Sequence, residues 1–188
     1  MSSNARTASV DDPIETPRLL LICVTEQTLQ AELNSTNFAD ICGMTVPGKW
    51  PPFDWDQQAI AYLLERTLRF PQFRGWCRYI AVKQPDGALP LLIGGCGCTE
   101  PPQSVADVEV GYAILDAFQR RGYVTEAVRA FLPWVFSHAN VESICAQTYP
   151  HLAGSIGVLR KCGFVLDGTG QDPGTILFRL RRRPPQEY

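Results

Sequence analysis

A segment of six residues near the middle of the chain, QRRGYV (119–124), combines the residue types that bind a phosphate group. Two adjacent arginines, Arg120 and Arg121, can donate charge-assisted hydrogen bonds to an anion. Gly122 has no side chain, so a ligand can approach the backbone closely. If the segment opens a helix, the free N–H groups and the helix dipole also favour an anion. The segment therefore indicates a pyrophosphate site, and a solvated turn with a hinge glycine is the alternative.

The residues on either side predict a strand before this segment and a helix after it. DVEVGYAIL (107–115) alternates apolar and polar residues with the period of two that a strand requires. From Gly122 to Val135 the apolar residues follow helical spacing, and Pro133 predicts a kink or an early end of the helix. The next predicted strand, 141–149, should lie parallel to the first because a crossover helix joins them. The phosphate-binding residues are therefore expected where a strand ends and a helix begins.

The other segments predict the elements that position this unit. Strands are predicted at 16–24, on both sides of the turn PDGA (85–88), at 163–168 and at 175–180. Helices are predicted within 25–41, at 57–70 with Asp54 or Asp56 as the cap, and at 153–162. The proline- and tryptophan-rich stretch 43–56 predicts an ordered, irregular loop. This order of elements predicts a mixed α/β sheet with helices packed on it.

The composition favours one globular domain and argues against several classes of partner. The 188 residues, 45% of them hydrophobic, are enough for one core, so we expect a single domain at 13–183 with flexible tails at 1–12 and 184–188. A net charge of -2 gives no overall basic field for nucleic acid. No signal peptide is visible, and no apolar run approaches the roughly 18 residues of a membrane span. We therefore expect neither nucleic acid nor a membrane as a partner.

The cysteines indicate a reducing compartment. There are seven, an odd number, scattered along the chain with only Cys96 and Cys98 close together. This pattern fits neither a disulfide framework nor a zinc site. The sequence therefore predicts a cytoplasmic protein without a structural metal, and leaves its oligomeric state open.

The combination VEVGYAIL, QRRGYVTEAV and SIGVLRKCGF resembles the GNAT superfamily of acetyl-CoA-dependent N-acetyltransferases, most closely its RimJ/RimL branch of ribosomal-protein N-terminal acetyltransferases. ETPRLLL is a typical opening for that branch, and the likeness extends over about residues 15–180. The resemblance implies a mixed, mostly antiparallel sheet of about seven strands, with a parallel strand-helix-strand core and helices on both faces. It also implies acetyl-CoA as co-substrate, and the residues expected to bind it are Val110, Gly111, Gln119, Arg120, Arg121, Gly122, Tyr123, Val124, Thr125 and Ser155.

The chain departs from the family pattern at three positions. Val124 occupies the last place of the cofactor signature, where the family has Gly or Ala. Leu152 replaces an Asn that contacts the pantetheine arm in the family, and neighbouring His151 is either its substitute or a simple loop histidine. Arg160 stands where many relatives have a tyrosine general acid, so that acid is not available here.

Amine acetylation by a thioester needs no covalent enzyme intermediate, because the acyl donor is already activated. Proximity can supply roughly 7 to 11 kcal/mol of the barrier, and an amide left unpaired by a bulge near Val110 or Gly111, which the resemblance implies, could stabilise the oxyanion. Glu109 is the candidate base, or else an exposed strand carboxylate. An α-amino group, with a pKa of about 7.7 to 8.0 against about 10.4 for lysine, needs less help from a base. Tyr149 and Ser155 are candidate acids for the departing thiolate.

The acceptor is expected to meet the irregular loop. Trp50 and Trp55 could offer aromatic faces to an ammonium, with Asp54 and Asp56 balancing its charge. The alternative is that both tryptophans only anchor the loop to the core. We thus expect an N-acetyltransferase for a peptide N-terminus or a small-molecule amine, with a non-catalytic acyl-CoA-binding domain or a plain interaction domain as the alternatives.

Overall fold

The computed structural model describes residues 9–99 and 106–182. Their strands are β1 (Ile14–Glu15), β2 (Leu19–Cys23), β3 (Cys77–Val82), β4 (Leu91–Cys98), β5 (Ala106–Ile114), β6 (Val141–Thr148), β7 (Val165–Thr169) and β8 (Ile176–Arg181). Their α-helices are α1 (Glu26–Leu33), α2 (Phe38–Cys42), α3 (Gln57–Arg69), α4 (Tyr123–Phe136) and α5 (Ala153–Lys161). Three short 3₁₀ turns lie at Pro71–Phe73, Pro85–Gly87 and Asp116–Phe118.

The strands form one mixed sheet in the order β1-β2-β3-β4-β5-β6-β8-β7. Neighbouring strands are antiparallel except β5 and β6, which are parallel and joined through α4. The predicted α/β sheet with a parallel strand-helix-strand core is confirmed. The described residues contribute eight strands where about seven were expected, because the two-residue β1 pairs with β2.

Helices cover both faces of the sheet, and β3 shows this most directly. Ile80 points into a core with α4 and α5, which contribute Phe131 and Leu159 among others. Tyr79 and Ala81, on the opposite face, pack in a second core with α1 and α3. The alternation of a strand therefore divides the buried residues into two layers, one on each side.

Local signals in the sequence explain several element boundaries. Asp56 caps α3 by accepting from the amides of Gln58 and Ala59 at 2.9 Å each. The expected early end of α4 at Pro133 is wrong, since the helix continues to Phe136. Val135 is fully buried in the last turn, and that packing outweighs the one hydrogen bond that a proline removes.

The parallel strands β5 and β6 separate halfway along their length. Their pairing covers only Ala106 to Glu109, although β5 continues to Ile114. The bulge expected near Val110 or Gly111 is not present in the pairing with β4, where the register runs without a shift from Gly94 to Cys98. Divergence of the two strands, rather than a bulge, therefore opens the sheet at this point.

Residues 9–12, which the sequence assigned to a tail, contact the body of the domain. Arg74 forms a bidentate pair with Asp11 at 2.6 and 2.8 Å, and buried Arg78 donates to the carbonyls of Val10 and Asp12. Residues 1–8 and 184–188, the rest of the two predicted tails, lie outside the described residues. Within the described part of the chain, no helix is both long and apolar enough to cross a bilayer.

Candidate active site

A cavity of about 730 Å³ lies where β5 and β6 separate. Four segments line it: the end of β5, the turn and first residues of α4, α5 with the residues before it, and part of the irregular loop. The lining residues of these segments are 112–114, 116 with 118–120 and 122–125, 151–155 with 157, 158 and 161, and 52–54. Segments that are far apart in sequence therefore meet at one site.

The first turn of α4 presents free backbone donors to this cavity. Gly122 is the N-cap residue in the left-handed conformation, with φ of 79°, and no side chain caps the helix. Arg120 is also left-handed, with φ of 58°. The first four N–H groups of a helix have no partner inside the helix, and they carry the positive end of its dipole. This N-terminus is thus suited to a phosphate group, as the sequence predicted for QRRGYV.

The N-terminus of α5 opens onto the same cavity. Leu152 is its N-cap residue and provides no side-chain hydrogen bond. The amide of Ala153 donates to the His151 carbonyl at 3.0 Å, and the next amides of the first turn have no partner within the helix. The departure from the family's Asn therefore leaves an apolar side chain beside two groups of free donors. His151 also lines the cavity, and its ring stacks on Tyr149 with centroids 5.5 Å apart.

Arg18, which sequence reasoning missed as a functional residue, braces the turn before α4. Its guanidinium donates to the carbonyl of Arg121 at 3.1 Å and to the carboxylate of Glu126 at 2.6 Å, and it lies 4.5 Å above the ring of Tyr123. Partial burial opposes ionisation of Glu126, but hydrogen bonds from Thr16 and Arg18 hold its pKa below the ordinary value. Arg18 belongs to the ETPRLLL segment on which the family resemblance partly rests. The sequence did not show that its side chain contacts the turn before α4.

The two predicted arginines differ in position. Arg120 lines the cavity. Arg121 is exposed and does not line the cavity itself, but its guanidinium lies 5.7 Å from the ring centroid of Phe118, which does. Gln119 lines the cavity and donates to Asp116 at 2.8 Å. Lys161, at the end of α5, is a further lining cation that the sequence did not single out.

The edge of β5 that faces the cavity carries unpaired backbone groups. Odd-numbered residues of β5 bond to the β4 side, as shown by the contacts from Thr99 N–H to Glu109 C=O and from Leu115 N–H to Ile93 C=O. Even-numbered residues therefore turn their N–H groups toward β6. Beyond the paired segment, these are Val110, Tyr112 and Ile114, of which Tyr112 and Ile114 line the cavity.

Val110 and Gly111, the residues expected at this edge, lie just before it. Val110 is buried in the core, and neither residue lines the cavity. The part of β5 that lines the cavity therefore begins at Tyr112. The strand pattern in the sequence gave no indication of where β5 and β6 diverge.

Tyr112 and Ser155 form a polar pair at the cavity. The phenolic oxygen lies 3.1 Å from Ser155 Oγ and 3.3 Å from the Ser155 carbonyl. Burial raises the pKa of Tyr112 to about 12, although the hydrogen bond to Ser155 opposes this. Tyr112 is therefore a neutral hydrogen-bond donor throughout the usual assay range.

The other two candidate catalytic residues are not at the cavity lining. Glu109 is half-buried, and its carboxylate accepts from Gln147 Nε2 at 3.2 Å on each oxygen. Gln147 in turn accepts from the amide of Asp172 at 3.1 Å and the hydroxyl of Thr175 at 3.2 Å. Tyr149 is 45% exposed beside His151. The structure thus brings Ser155 to the site and leaves Glu109 and Tyr149 outside its lining.

The irregular loop reaches the cavity through 52–54, between the two tryptophans. Trp50 and Trp55 donate their indole N–H groups to Glu32 at 2.6 and 3.1 Å. Trp55 is only 6% exposed, which corresponds to the alternative in which the tryptophans anchor the loop. Asp54 lines the cavity, whereas Asp56 is used as the cap of α3.

The fold is α/β, and its cavity combines two helix N-termini with the edge of β5, an arrangement suited to a ligand with phosphate groups and an extended polar arm. Comparison with known proteins agrees with a ligand of that kind. The family description "Acetyltransferase (GNAT) domain" matches residues 24–165, which is more than half of the chain. The chain therefore belongs to the GNAT acetyltransferase family.

Individual relatives support the same assignment. The Bacillus subtilis (strain 168) "Uncharacterized N-acetyltransferase YjdG" is 29% identical over 155 residues, which cover 82% of this chain and 90% of that protein. An acetyltransferase from Agrobacterium tumefaciens str. C58 has a similar fold, with a TM-score of 0.64, 19% identity and coverage of 97% of this chain and 100% of the other.

The ribosomal L7/L12 alpha-N-protein acetyltransferase RimL, solved with coenzyme A, gives a TM-score of 0.61 at 15% identity, with coverage of 90% and 98%. This similarity shows that the two proteins share a fold. At 15% identity it does not show that they share an acceptor. The protein is an acetyl-CoA-dependent N-acetyltransferase with a GNAT fold, and acetyl-CoA is its co-substrate.

Proposed function

We propose that this enzyme acetylates the α-amino group of a peptide or protein N-terminus, by direct attack of the amine on acetyl-CoA in a ternary complex. A small-molecule amine is the alternative acceptor within the same reaction. One observation carries the proposal: two uncapped helix N-termini and the unpaired edge of β5 meet at a single cavity. A phosphate-bearing thioester with a linear amide arm matches that set of backbone donors.

Different residues of the cavity would bind different parts of such a ligand. The amides at the start of α4, with Arg120, would hold the pyrophosphate, and Arg18 would keep their turn in place. The free edge of β5 at Tyr112 and Ile114 would pair with the amides of the pantetheine arm, as a neighbouring strand does. Acetyl-CoA supplies an activated acetyl group, so the protein needs only to orient the reactants and manage protons and charge.

Tyr112 and Ser155 are proposed as the proton donors for the departing thiolate. They lie 3.1 Å apart at the cavity, and burial raises the pKa of Tyr112 to about 12. A phenol that stays neutral can donate through the serine hydroxyl at neutral and alkaline pH. This pair would take the place of the tyrosine acid that Arg160 replaces.

The acidic groups at the cavity favour an α-amino acceptor over lysine. Among the described lining residues the carboxylates are Asp54 and Asp116, and Asp116 accepts a hydrogen bond from Gln119. Glu109 is held by Gln147 and does not line the cavity. Weak base catalysis suffices for an amine with a pKa of about 7.7 to 8.0, but not for one near 10.4. The fold shared with RimL, named as an alpha-N-protein acetyltransferase, supports the same acceptor class.

The test is a thiol-release assay with three acceptors at equal concentration and pH 7.5. The first is an unblocked tetrapeptide without lysine. The second is a tetrapeptide with an acetylated N-terminus and one lysine, and the third is ethanolamine as a small amine. We expect acetyl-CoA-dependent acetylation of the unblocked peptide, identified by a mass increase at its N-terminus. Preferential modification of lysine or of ethanolamine would reject the proposed acceptor and retain the reaction.

We also infer that the protein acts in the reducing cytoplasm. The seven cysteines are odd in number and scattered along the chain, which does not fit a disulfide framework and favours a reducing compartment. Microscopy of the tagged protein, or its detection after cell fractionation, tests this location.

A further inference from the structure

Glu32, on α1, is a buried carboxylate that receives three side-chain donors. It is 7% exposed. One oxygen accepts from Trp50 Nε1 at 2.6 Å and from Trp55 Nε1 at 3.1 Å, and the other accepts from the Tyr79 hydroxyl at 2.8 Å. Glu32 thus joins α1, strand β3 and both sides of the irregular loop through a single group.

The two tryptophans are the residues that bracket the cavity-lining part of this loop. Pro52, Phe53 and Asp54 lie between them and form one wall of the cavity. Trp55 is fixed further by β4, because a Cβ on Gly95 would lie only 2.2 Å from its ring. Trp50 packs against Phe38 with centroids 6.4 Å apart. Both ends of the three-residue wall are therefore held. Glu32 is the hydrogen-bond acceptor common to both tryptophans, and the ring of Tyr79 packs against both, with centroids 6.1 and 5.7 Å away.

The wall holds the ring of Phe53 and the carboxylate of Asp54 exposed at the cavity. Phe53 is 95% exposed, so its ring is kept in solvent at the cavity instead of packing against the core. Asp54 beside it is exposed as well and carries a negative charge. An apolar ring next to a carboxylate suits an acceptor with an ammonium group and an adjacent apolar group.

The choice of a carboxylate for this position is itself informative. Burial of an ionisable group costs stability, and apolar residues of similar size are often as stable or more so. Burial raises the pKa of Glu32, while hydrogen bonds from Tyr79, Trp50 and Trp55 oppose that rise. A hydrophobic residue could fill the same space but could not fix the direction of two indole N–H groups.

We propose that Glu32 is a positioning residue for the acceptor: its hydrogen bonds to Trp50 and Trp55 hold residues 52–54 as the wall that the acceptor contacts. This inference rests on the proposed function, because it assumes that an amine acceptor enters the cavity beside that wall. It assigns Glu32 no contact with either reactant. Glu32 acts on acceptor specificity through the tryptophans.

The experiment compares Glu32→Ala with Glu32→Gln in the full-length protein. The amide oxygen of glutamine can accept from both indoles, and its NH₂ can donate to the Tyr79 hydroxyl, so Glu32→Gln should retain the wall. We expect Glu32→Ala to speed hydrogen exchange across 50–55 and to raise the KM for the unblocked tetrapeptide about tenfold. The Kd for acetyl-CoA, measured by calorimetry, should stay within about twofold of the parent value. Glu32→Gln should restore the acceptor KM to within about threefold.

Three results would overturn the inference. The first is unchanged exchange across 50–55 in Glu32→Ala, which would show that the carboxylate does not hold the loop. The second is faster exchange with an unchanged acceptor KM, which would make Glu32 a stability anchor only. The third is an equal loss of acetyl-CoA and acceptor binding in both variants, which would indicate general loss of structure.

Trp50→Phe keeps the test decisive if Glu32→Ala does not fold. It removes one donor and keeps an aromatic ring, and we expect a smaller rise of the acceptor KM in the same direction. If the parent protein acetylates none of the three amines, the proposed function is wrong, whatever the variants show. In that case the exchange measurement still decides whether Glu32 holds the wall.

Discussion

The two ends of the cavity are built in different ways. The end formed by α4, α5 and the edge of β5 presents mainly backbone N–H groups, placed there by secondary structure. The end formed by 52–54 presents side chains, on a loop held by contacts to Glu32. Backbone donors stay in place under most substitutions, whereas a wall of side chains changes with each one. The first end therefore suits a ligand common to the family, and the second suits an acceptor that differs between members.

The largest expected effect is at the backbone-built end, in Gly122→Asp. Gly122 has φ of 79° and lines the cavity. A Cβ here would lie 3.5 Å from Arg18 Nη2, so an aspartate would place a negative charge beside the turn proposed to hold the pyrophosphate. The strain of a left-handed residue is present with and without the ligand, so it lowers stability rather than affinity. Charge repulsion of about 2 kcal/mol should weaken acetyl-CoA binding on the order of 30-fold. Calorimetric titration with acetyl-CoA measures this.

Gly122→Asn is the matched control, because asparagine tolerates a left-handed conformation and has no charge. It should lose much less affinity than Gly122→Asp. Equal binding by Gly122→Asp and the parent protein would break the comparison, since the first turn of α4 would then not hold the phosphates.

The next effect concerns the chemical step, in Tyr112→Phe. Loss of the hydroxyl should lower kcat about tenfold, at the weak end for an acid catalyst because a thiolate is a good leaving group. Since the pKa of Tyr112 is raised to about 12, the phenol stays protonated up to about pH 10, and parent kcat should show no fall from its ionisation below that pH. Steady-state rates from pH 6 to 10 measure both effects.

Glu109→Gln serves as the comparison variant on the same strand. Its side chain contacts Gln147 outside the cavity lining, so kcat should stay within about twofold of the parent value. A large loss of kcat with an altered acid limb of the pH profile would instead identify Glu109 as the base.

A smaller effect separates the two arginines of QRRGYV. Arg120 lines the cavity, and Arg121 lies against Phe118. Arg120→Ala should weaken acetyl-CoA binding about fivefold, a modest effect because the side chain is exposed to solvent. Arg121→Ala should change it less than twofold. If Arg121→Ala has the larger effect in the same titration, the assignment of the two arginines is reversed.

Modest effects on the acceptor are expected from the exposed side chains of the 52–54 wall. Phe53→Ala and Asp54→Asn should each raise the acceptor KM about threefold, because each removes one exposed contact. Neither should alter the Kd for acetyl-CoA. Parallel changes in both constants would show that the two ends of the cavity do not act separately.

Much of the fold was predictable because local patterns specify it. The period of two in 107–115, the helical spacing after Gly122 and the crossover between them predicted the parallel pair, which is observed. They also predicted the place where the candidate site was sought, and a cavity lies there. The Asp56 cap was also within reach of the sequence. These features depend on neighbours along the chain, which a sequence displays directly.

The sequence by itself thus determined the family, the α/β sheet and the helix N-terminus that opens on the cavity. Only the tertiary structure decided that β5 and β6 part beyond Glu109, that Tyr112 meets Ser155, and that Glu32 holds Trp50 and Trp55. The physical reason is the separation along the chain of the residues that interact. Secondary structure and caps follow from bonds within a few residues, but the divergence of two strands and the partners of a buried carboxylate depend on packing between distant segments.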